Sequence, residues 1–199
     1  MSKGDETRNS ILSHALDLSS ELGLEGLTFG VLAKSAGMSK SGLYAHFDSK
    51  EHLQCQVLDA AATRFIDVVL VPALKFPRGL PRLEKLFDNW LQWETGELRG
   101  GCLFVAAATE FDDRAGLVRD RLIGHLHDML GAIARAARIA VEEGHFDPDL
   151  DTEQFAYELW AVLLAYQHYA RLFGDPAASV RARRAFASLV ESSRRRGRN

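Results

Sequence analysis

The chain has 199 residues, 47% of them hydrophobic, so it is long enough to bury a core in one or two domains. Its formal net charge is −3, so the chain as a whole does not have the strong positive charge of many nucleic-acid-binding proteins. Two cysteines are too few for a disulfide framework, which fits the reducing cytoplasm, and the polar residues 1–10 predict no signal peptide. The longest apolar run, 159–166, is far short of the roughly 20 residues that a bilayer requires, so we expect a soluble protein.

Glycine and proline divide the chain into helical segments, and no stretch has the strict apolar alternation of a strand. A loose arm is predicted at residues 1–5, with a first helix over about 7–22 whose apolar stripe ends at Leu22. The later helices are predicted over about 50–70, from Pro81 onward, and over about 102–111, 117–143, 152–173 and 175–193. In the last of these, Asp175 is the expected N-cap and Pro176 the first helical residue.

The stretch from Thr28 to Leu53 has the spacing of two short helices joined by a tight turn, followed by the start of a third. Thr28, Ser39 and Ser49 are each placed to cap a helix. Gly37 supplies the left-handed backbone conformation at which the first of these helices ends. This arrangement is typical of a helix-turn-helix, although two capped helices around a glycine also occur in ordinary bundles.

The polar residues of this stretch favour DNA binding over ordinary bundle packing. Lys40, Ser41, Tyr44 and His46 lie off the apolar face formed by Leu43 and Phe47. No acidic residue occurs between Thr28 and Phe47. A helix that approaches phosphates cannot carry carboxylates there, because they would repel the DNA backbone.

The stretch resembles the N-terminal DNA-binding domain of TetR-type (tetracycline-repressor-like) transcriptional regulators. The matching frame is Thr28, Leu32-Ala33, Ala36-Gly37-Met38-Ser39, Leu43-Tyr44, His46-Phe47, Ser49-Lys50-Glu51 and Leu53. A second segment, 101–114, resembles one found in a subset of TetR-type C-terminal domains. The chain departs from the family pattern at Ser41-Gly42, where glycine followed by a larger residue is more usual. It also departs at Gly30, where a long polar side chain is common.

The predicted fold is all-α, with about nine helices: an N-terminal three-helix helix-turn-helix domain joined to a C-terminal helical bundle. We expect a DNA-binding domain over 1–50 that extends into the helix starting at Lys50, and an effector-binding and dimerisation domain over 51–199. Double-stranded DNA with a palindromic operator is the expected partner. The predicted DNA-binding residues are Thr28, Ser39, Lys40, Ser41, Tyr44, His46 and Lys50.

Two of these residues have a plainer alternative reading. Tyr44 is either a phosphate contact through its hydroxyl, as at the matching family position, or a half-buried packing ring. His46 is either a base contact or a solvated surface residue. Lys40 is the candidate for guanine acceptors, whereas serine at position 41 discriminates poorly between bases.

The helix predicted over 152–173 is apolar on two faces, so it must be covered on both sides. It is either a central core helix of a monomer or part of a homodimer interface. The TetR resemblance implies the second, because the last two helices of such proteins typically form a four-helix interface. The predicted interface residues are Phe155, Leu159, Val162, Tyr166, Tyr169, Val180, Ala187 and Val190.

Aromatic residues are concentrated in the C-terminal helices, and each of them is either plain core or part of a pocket. The family resemblance implies a cavity for a small, largely apolar effector whose identity the sequence leaves open. The predicted lining residues are Phe87, Trp90, Trp93, Phe104, Glu110, His125, Met129, Trp160 and Tyr166.

Catalytic and metal-binding motifs are not apparent in the sequence: it has no G-x-S-x-G, H-E-x-x-H or C-x-x-C pattern. We therefore expect no enzyme activity, no cofactor and no metal site. The leading interpretation is a dimeric, ligand-responsive repressor. The alternative is a helical ligand-binding or protein-interaction module that does not regulate transcription. The arginines near the C-terminus, Arg194–Arg196 and Arg198, are interpreted as a solvated end with an open role in non-specific DNA attraction.

Overall fold

The computed structural model describes residues 3–194, and within that range it contains nine α-helices of five or more residues, one three-residue α-helical segment and no β-strand. In chain order these are α1 (Lys3–Leu22), α2 (Phe29–Ala36), α3 (Lys40–Tyr44), α4 (Lys50–Phe65), α5 (Leu80–Gln92), α6 (Leu103–Phe111), α7 (Leu117–Glu142), α8 (Thr152–Gln167) and α9 (Ala178–Ser193). The predicted all-α fold class is confirmed. Of the arginine tail, Arg195, Arg196 and Arg198 lie outside the described residues.

The chain forms two compact units. Unit 1 comprises the residues up to Arg64 together with Leu98–Leu126, and it contains the helix-turn-helix. Unit 2 comprises Phe65–Glu97 together with the residues from His127 onward. These units are defined by contacts, whereas the predicted domains, 1–50 and 51–199, are defined by function; the division near residue 50 therefore stays a prediction.

Helix α1 begins at Lys3, so the expectation of a loose arm is wrong for residues 3–5, while residues 1 and 2 lie outside the described part of the chain. Glu6 near the helix start suits the positive end of the helix dipole. Ile11 and Ala15 are buried as the apolar stripe predicts, but Leu22 is 51% exposed. Leu22 is the last helical residue, and Gly23, with a φ of 80°, then turns the chain away.

The helix predicted over about 50–70 is not one regular α-helix: α4 ends at Phe65, and a π-helical turn, Ile66–Leu70, leads into a short α-helical segment, Val71–Ala73. In this wider turn the N–H of Val71 donates to the carbonyl of Ile66, five residues back. Pro72 has no N–H and falls in the first turn of the short segment, where helices tolerate proline.

Two further π-helical turns extend α5 and α8, at Trp93–Glu97 and His168–Leu172. Pro81 lies in the first turn of α5, as predicted. Asp175 is not the N-cap of α9: it accepts a hydrogen bond from the N–H of Ala177 at 2.8 Å within the preceding turn. This bond, assisted by Arg181, lowers the pKa of Asp175.

Candidate nucleic-acid interface

The corner between α2 and α3 has the predicted local geometry. Thr28 accepts a hydrogen bond from the N–H of Val31 at 3.2 Å, and Ser39 accepts one from the N–H of Gly42 at 3.0 Å. Gly37 has a φ of 65°, and its N–H donates to the carbonyl of Ala33. These side-chain and backbone bonds replace the ones that helix ends lack, so the corner holds α3 in a defined position.

The predicted DNA-binding side chains lie mostly on the surface. Leu43 and Phe47 are fully buried beneath α3, so they fix which of its faces points outward. His46 and Lys50 are half-buried. The exposed members of the predicted set are Thr28, Ser39, Lys40, Ser41 and Tyr44.

Tyr44 is exposed to solvent and at the same time packs against another aromatic ring. Its side chain is 55% exposed, yet its ring packs against Phe29 with centroids 4.2 Å apart and planes at 30°. Aromatic pairs at this separation add stability beyond their buried area. The contact therefore fixes the direction of the ring while leaving the residue accessible to solvent.

Gly30, one of the departures from the family pattern, lies beside the side chain of Lys40. A Cβ at position 30 would approach Cε of Lys40 to 3.3 Å and its Nζ to 3.5 Å. A long side chain at this position would thus occupy the space over which the lysine stem lies. The absence of a side chain at Gly30 accommodates Lys40 in its present orientation.

Lys50 is engaged within unit 1. Its ammonium donates to the backbone carbonyl of Glu25 at 2.8 Å and to the Glu25 carboxylate at 3.0 Å. Arg114 lies 3.5 Å from the same carboxylate. The hydrogen bond from Lys50 is the main cause that lowers the pKa of Glu25.

We expect Glu25→Gln to weaken this cluster and to change its pH dependence. Because the folded state lowers the pKa of Glu25, the stabilisation is present above the usual value of 4.5 and is lost as the pH falls through the folded-state pKa. The carboxylate is 47% exposed, so solvent screening keeps the effect below about 1 kcal/mol. Urea unfolding of both proteins from acid to neutral pH should give free energies of unfolding that converge at the acid end. A constant difference at every pH would contradict this assignment.

Glu110 and His125, two of the predicted effector contacts, hold other parts of unit 1. Glu110 accepts a hydrogen bond from the backbone N–H of Glu25 at 2.7 Å, which ties the loop after α1 to the end of α6. His125 lies 2.8 Å from the Asp59 carboxylate, which Arg121 also contacts at 3.4 Å.

The other predicted effector contacts are mostly core residues. Phe104 is fully buried in unit 1. In unit 2, the ring of Phe65 makes edge contacts with Trp90 and Trp93, with centroids at 4.7 and 5.4 Å. The remaining members in unit 2 are Phe87, Met129 and Tyr166, which are buried, and Trp160, which is half-buried. The buried Nε1 of Trp93 has no hydrogen-bond partner among the described residues.

The predicted dimer residues divide by burial within unit 2. Phe155, Leu159, Tyr166 and Val190 are at most 8% exposed, so they belong to the core of one subunit and offer no surface to another. Val162 is half-buried, whereas Tyr169, Val180 and Ala187 are exposed. Three further apolar side chains are each more than 60% exposed: Tyr157 in the first half of α8, and Leu172 and Phe173 at the end of the π-helical turn that extends it. None of them is among the predicted interface residues.

A cavity of about 420 Å³ lies within unit 2, between the π-helical turn after α4, the start of α5 and the second half of α7. Its lining is mostly apolar, with Arg82, Asp128 and Arg135 as the charged members. None of the predicted effector residues lines it. The sequence signal that points to it is small side chains at Ala132 and Ala136, which share one face of α7.

The two cysteines do not form a disulfide with each other. Cys55 and Cys102 are both buried, and burial raises the pKa of the Cys55 thiol, as in a small core hydrophobe rather than a reactive cysteine. Between residues 3 and 194, no helix has the length and apolar character needed to cross a bilayer.

Comparison with known proteins agrees with this geometry. Residues 11–54 match the family described as "Bacterial regulatory proteins, tetR family", and residues 79–186 match "Tetracyclin repressor-like, C-terminal domain". The HTH-type transcriptional regulator RutR of Escherichia coli (strain K12) is 30% identical over 168 residues, which cover 82% of this chain and 73% of RutR.

Solved structures show the same fold. A TetR transcriptional regulator from Chloroflexus aurantiacus superposes with a TM-score of 0.84 at 23% identity, covering 96% of each chain. The structure of AibR in complex with isovaleryl coenzyme A and operator DNA gives a TM-score of 0.71 at 20% identity, covering 92% of this chain and 96% of that one. Because a family pattern spans more than half of the chain and RutR matches along most of it, the chain belongs to the TetR family of transcriptional regulators.

Proposed function

We propose that this protein is a dimeric repressor that binds a palindromic operator and is released from it by a small, largely apolar ligand. The observation that carries the proposal is the exposed surface of α3, where Lys40, Ser41 and Tyr44 face solvent on a stretch without carboxylates. Such a helix can enter the major groove without repelling the phosphates on either side of it. The protein would act in the cytoplasm, where its DNA is, and without catalytic activity of its own.

Each predicted DNA contact has a chemical role. Thr28 lies at the N-terminus of α2, where the helix dipole attracts a phosphate and the hydroxyl can add a hydrogen bond. Tyr44, oriented by Phe29, would donate a hydrogen bond from its hydroxyl to a second phosphate. Lys40, Ser41 and His46 are the candidates for base edges, with Lys40 suited to guanine.

Lys50 requires a different account, because Glu25 already occupies its ammonium. A phosphate near the start of α4 would compete with the Glu25 carboxylate for the same charge. Lys50 would therefore contact an operator phosphate only after the phosphate has displaced the Glu25 carboxylate. On this account the Glu25→Gln variant should bind the operator a few-fold more tightly.

The proposed dimer interface is the apolar surface of α8 and α9 and of the chain between them. The exposed candidates are Tyr157, Tyr169, Leu172, Phe173 and Val180, with Val162 and Ala187 beside them. A cluster of large apolar residues left in water is typical of an association surface. Two-fold pairing through it would present two recognition helices to two half-sites, one helical turn or a multiple apart.

Release by a ligand requires that the ligand bind one conformer better than the other. Helix α4 belongs to unit 1 from Lys50 to Arg64 and continues in unit 2 from Phe65, so a shift of this helix is the proposed link. Coupling free energies of this kind are typically about 1–3 kcal/mol. AibR, whose structure contains both a coenzyme A thioester and operator DNA, supports the general scheme for this fold.

The test is fluorescence anisotropy against the DNA that flanks the protein's own gene. We expect a specific, salt-sensitive complex, and we expect the double variant Lys40→Ala/Tyr44→Phe to bind at least about a hundredfold more weakly, since it loses base and phosphate contacts in both subunits. Lys75→Ala, which removes an exposed lysine of unit 2, is the matched charge control and should leave the operator affinity unchanged.

Equally weak binding of every sequence by the wild-type protein would overturn the proposal. The helix-turn-helix would then serve only as scaffold in a ligand-binding or protein-interaction module. A double variant that binds the operator as tightly as the wild-type protein would contradict the assigned phosphate and base contacts.

A further inference from the structure

We propose that the cavity of unit 2 is the effector site and that it takes an apolar molecule with one carboxylate. The inference rests on the proposed function, because it names the ligand class of the same regulator. The cavity measures about 420 Å³, within the range of about 300–1,000 Å³ that is typical of small-molecule sites. All of its lining residues lie within unit 2.

One wall is the π-helical turn that follows α4. Ile66 and Leu70, the first and last residues of this turn, both line the cavity. Such turns interrupt regular helices at a cost and occur frequently at functional sites. Here the turn brings aliphatic side chains into the cavity at the point where α4 enters unit 2.

The opposite wall is one face of α7. Ala132, Ala136 and Ile139 are spaced four and three residues apart, so they lie on one side of the helix. The two alanines leave the space that a larger side chain would fill. An apolar ligand body against this wall would gain from the removal of both surfaces from water.

The charges of the lining favour an anion. Arg135 has no hydrogen-bond or ion-pair partner within residues 3–194. Arg82 is held on the carbonyls of Leu74 and Phe76, at 3.4 and 3.1 Å, which fix its position without neutralising it. Asp128 is the single carboxylate of the lining, so the three charged side chains sum to +1.

The positions of Arg135 and Asp128 give the ligand a direction. The two residues are seven positions apart on α7, which corresponds to about 10 Å along the helix. A ligand carboxylate would form its bidentate bond with Arg135, at the far end from Asp128. A second carboxylate at the other end would meet Asp128 and be repelled, so the site should prefer monocarboxylates.

The experiment is calorimetric titration of the full chain, without DNA, with decanoate, decanol and decylamine below their aggregation concentrations. We expect decanoate to bind most tightly. Arg135→Gln should weaken decanoate binding by about tenfold or more and leave decanol binding unchanged, since the bidentate charged contact with the carboxylate is lost. Ala132→Phe should abolish binding of both by filling the cavity. Arg138→Gln is the matched control, because Arg138 is an exposed arginine on α7 that pairs with Glu153 and does not line the cavity.

Several results would overturn the proposal. They are equal affinity for decanoate and decanol, tighter binding of decylamine, an unchanged decanoate affinity in Arg135→Gln, or binding that persists in a folded Ala132→Phe variant. The last result would move the site to the aromatic cluster around Trp93. Because this titration contains no DNA and the anisotropy test contains no ligand, failure of the cavity and failure of the proposed repressor function are read separately.

Discussion

Replacing Ser41 with glutamate is expected to abolish specific operator binding while leaving the fold intact. Ser41 is exposed in the first turn of α3, two residues after the capping Ser39. A carboxylate there faces the positive end of the helix dipole, which favours the folded state by about 0.3–1 kcal/mol. The same carboxylate would face the phosphates of the major groove and repel them.

The predicted loss of affinity is large because it occurs twice. A disrupted recognition contact costs about 1–3 kcal/mol, and a dimer carries one such helix in each subunit, so affinity should fall by about a hundredfold or more. Anisotropy titration measures the loss, and thermal unfolding checks the fold.

Ser41→Gln, which has nearly the same shape without the charge, is the matched control. It should retain most of the affinity. Full operator binding by Ser41→Glu would mean that α3 does not approach DNA.

The second large effect is expected from Gly100→Ala in unit 1. A Cβ at this position would overlap the backbone carbonyl of Ser20 and lie 2.5 Å from the backbone N of Glu21. Backbone atoms inside a helix cannot rotate away as a side chain can. The N–H of Gly100 also donates to the Ser20 hydroxyl at 2.9 Å, so any displacement breaks this bond as well.

We expect Gly100→Ala to lower the free energy of unfolding by about 3 kcal/mol, the upper part of the usual cost of overpacking. This corresponds to a fall in Tm of about 6–12 °C for a chain of this size. Differential scanning calorimetry measures both quantities.

Gly124→Ala provides the comparison within the same unit. A Cβ at Gly124, in α7, would meet nothing within 4 Å. Alanine is the better helix former, so this variant should be more stable by about 0.5–1 kcal/mol. Equal effects of the two substitutions would show that the close approach at Gly100 is not responsible.

The helix-turn-helix is the part of the protein that its sequence determined most fully. Thr28, Gly37 and Ser39 act through bonds to residues three or four positions away, and such local bonds can be read from spacing. The burial of Leu43 and Phe47 also followed, because helical periodicity alone decides which side of α3 points outward. The helix ends did not follow from the sequence in the same way: α4, predicted to about residue 70, ends at Phe65 where a π-helical turn begins.

Only the tertiary structure decided how side chains far apart in the chain share their partners. Glu110 and His125 looked like ligand contacts, but they bind Glu25 and Asp59, which lie 85 and 66 residues away. Phe155 and Leu159 looked available to a second subunit, but their own core covers them. A periodic pattern shows that a face must be covered without showing what covers it. That choice depends on which helices pack together, and so does the cavity between the π-helical turn after α4, α5 and α7, because contacts between residues far apart in the chain decide both.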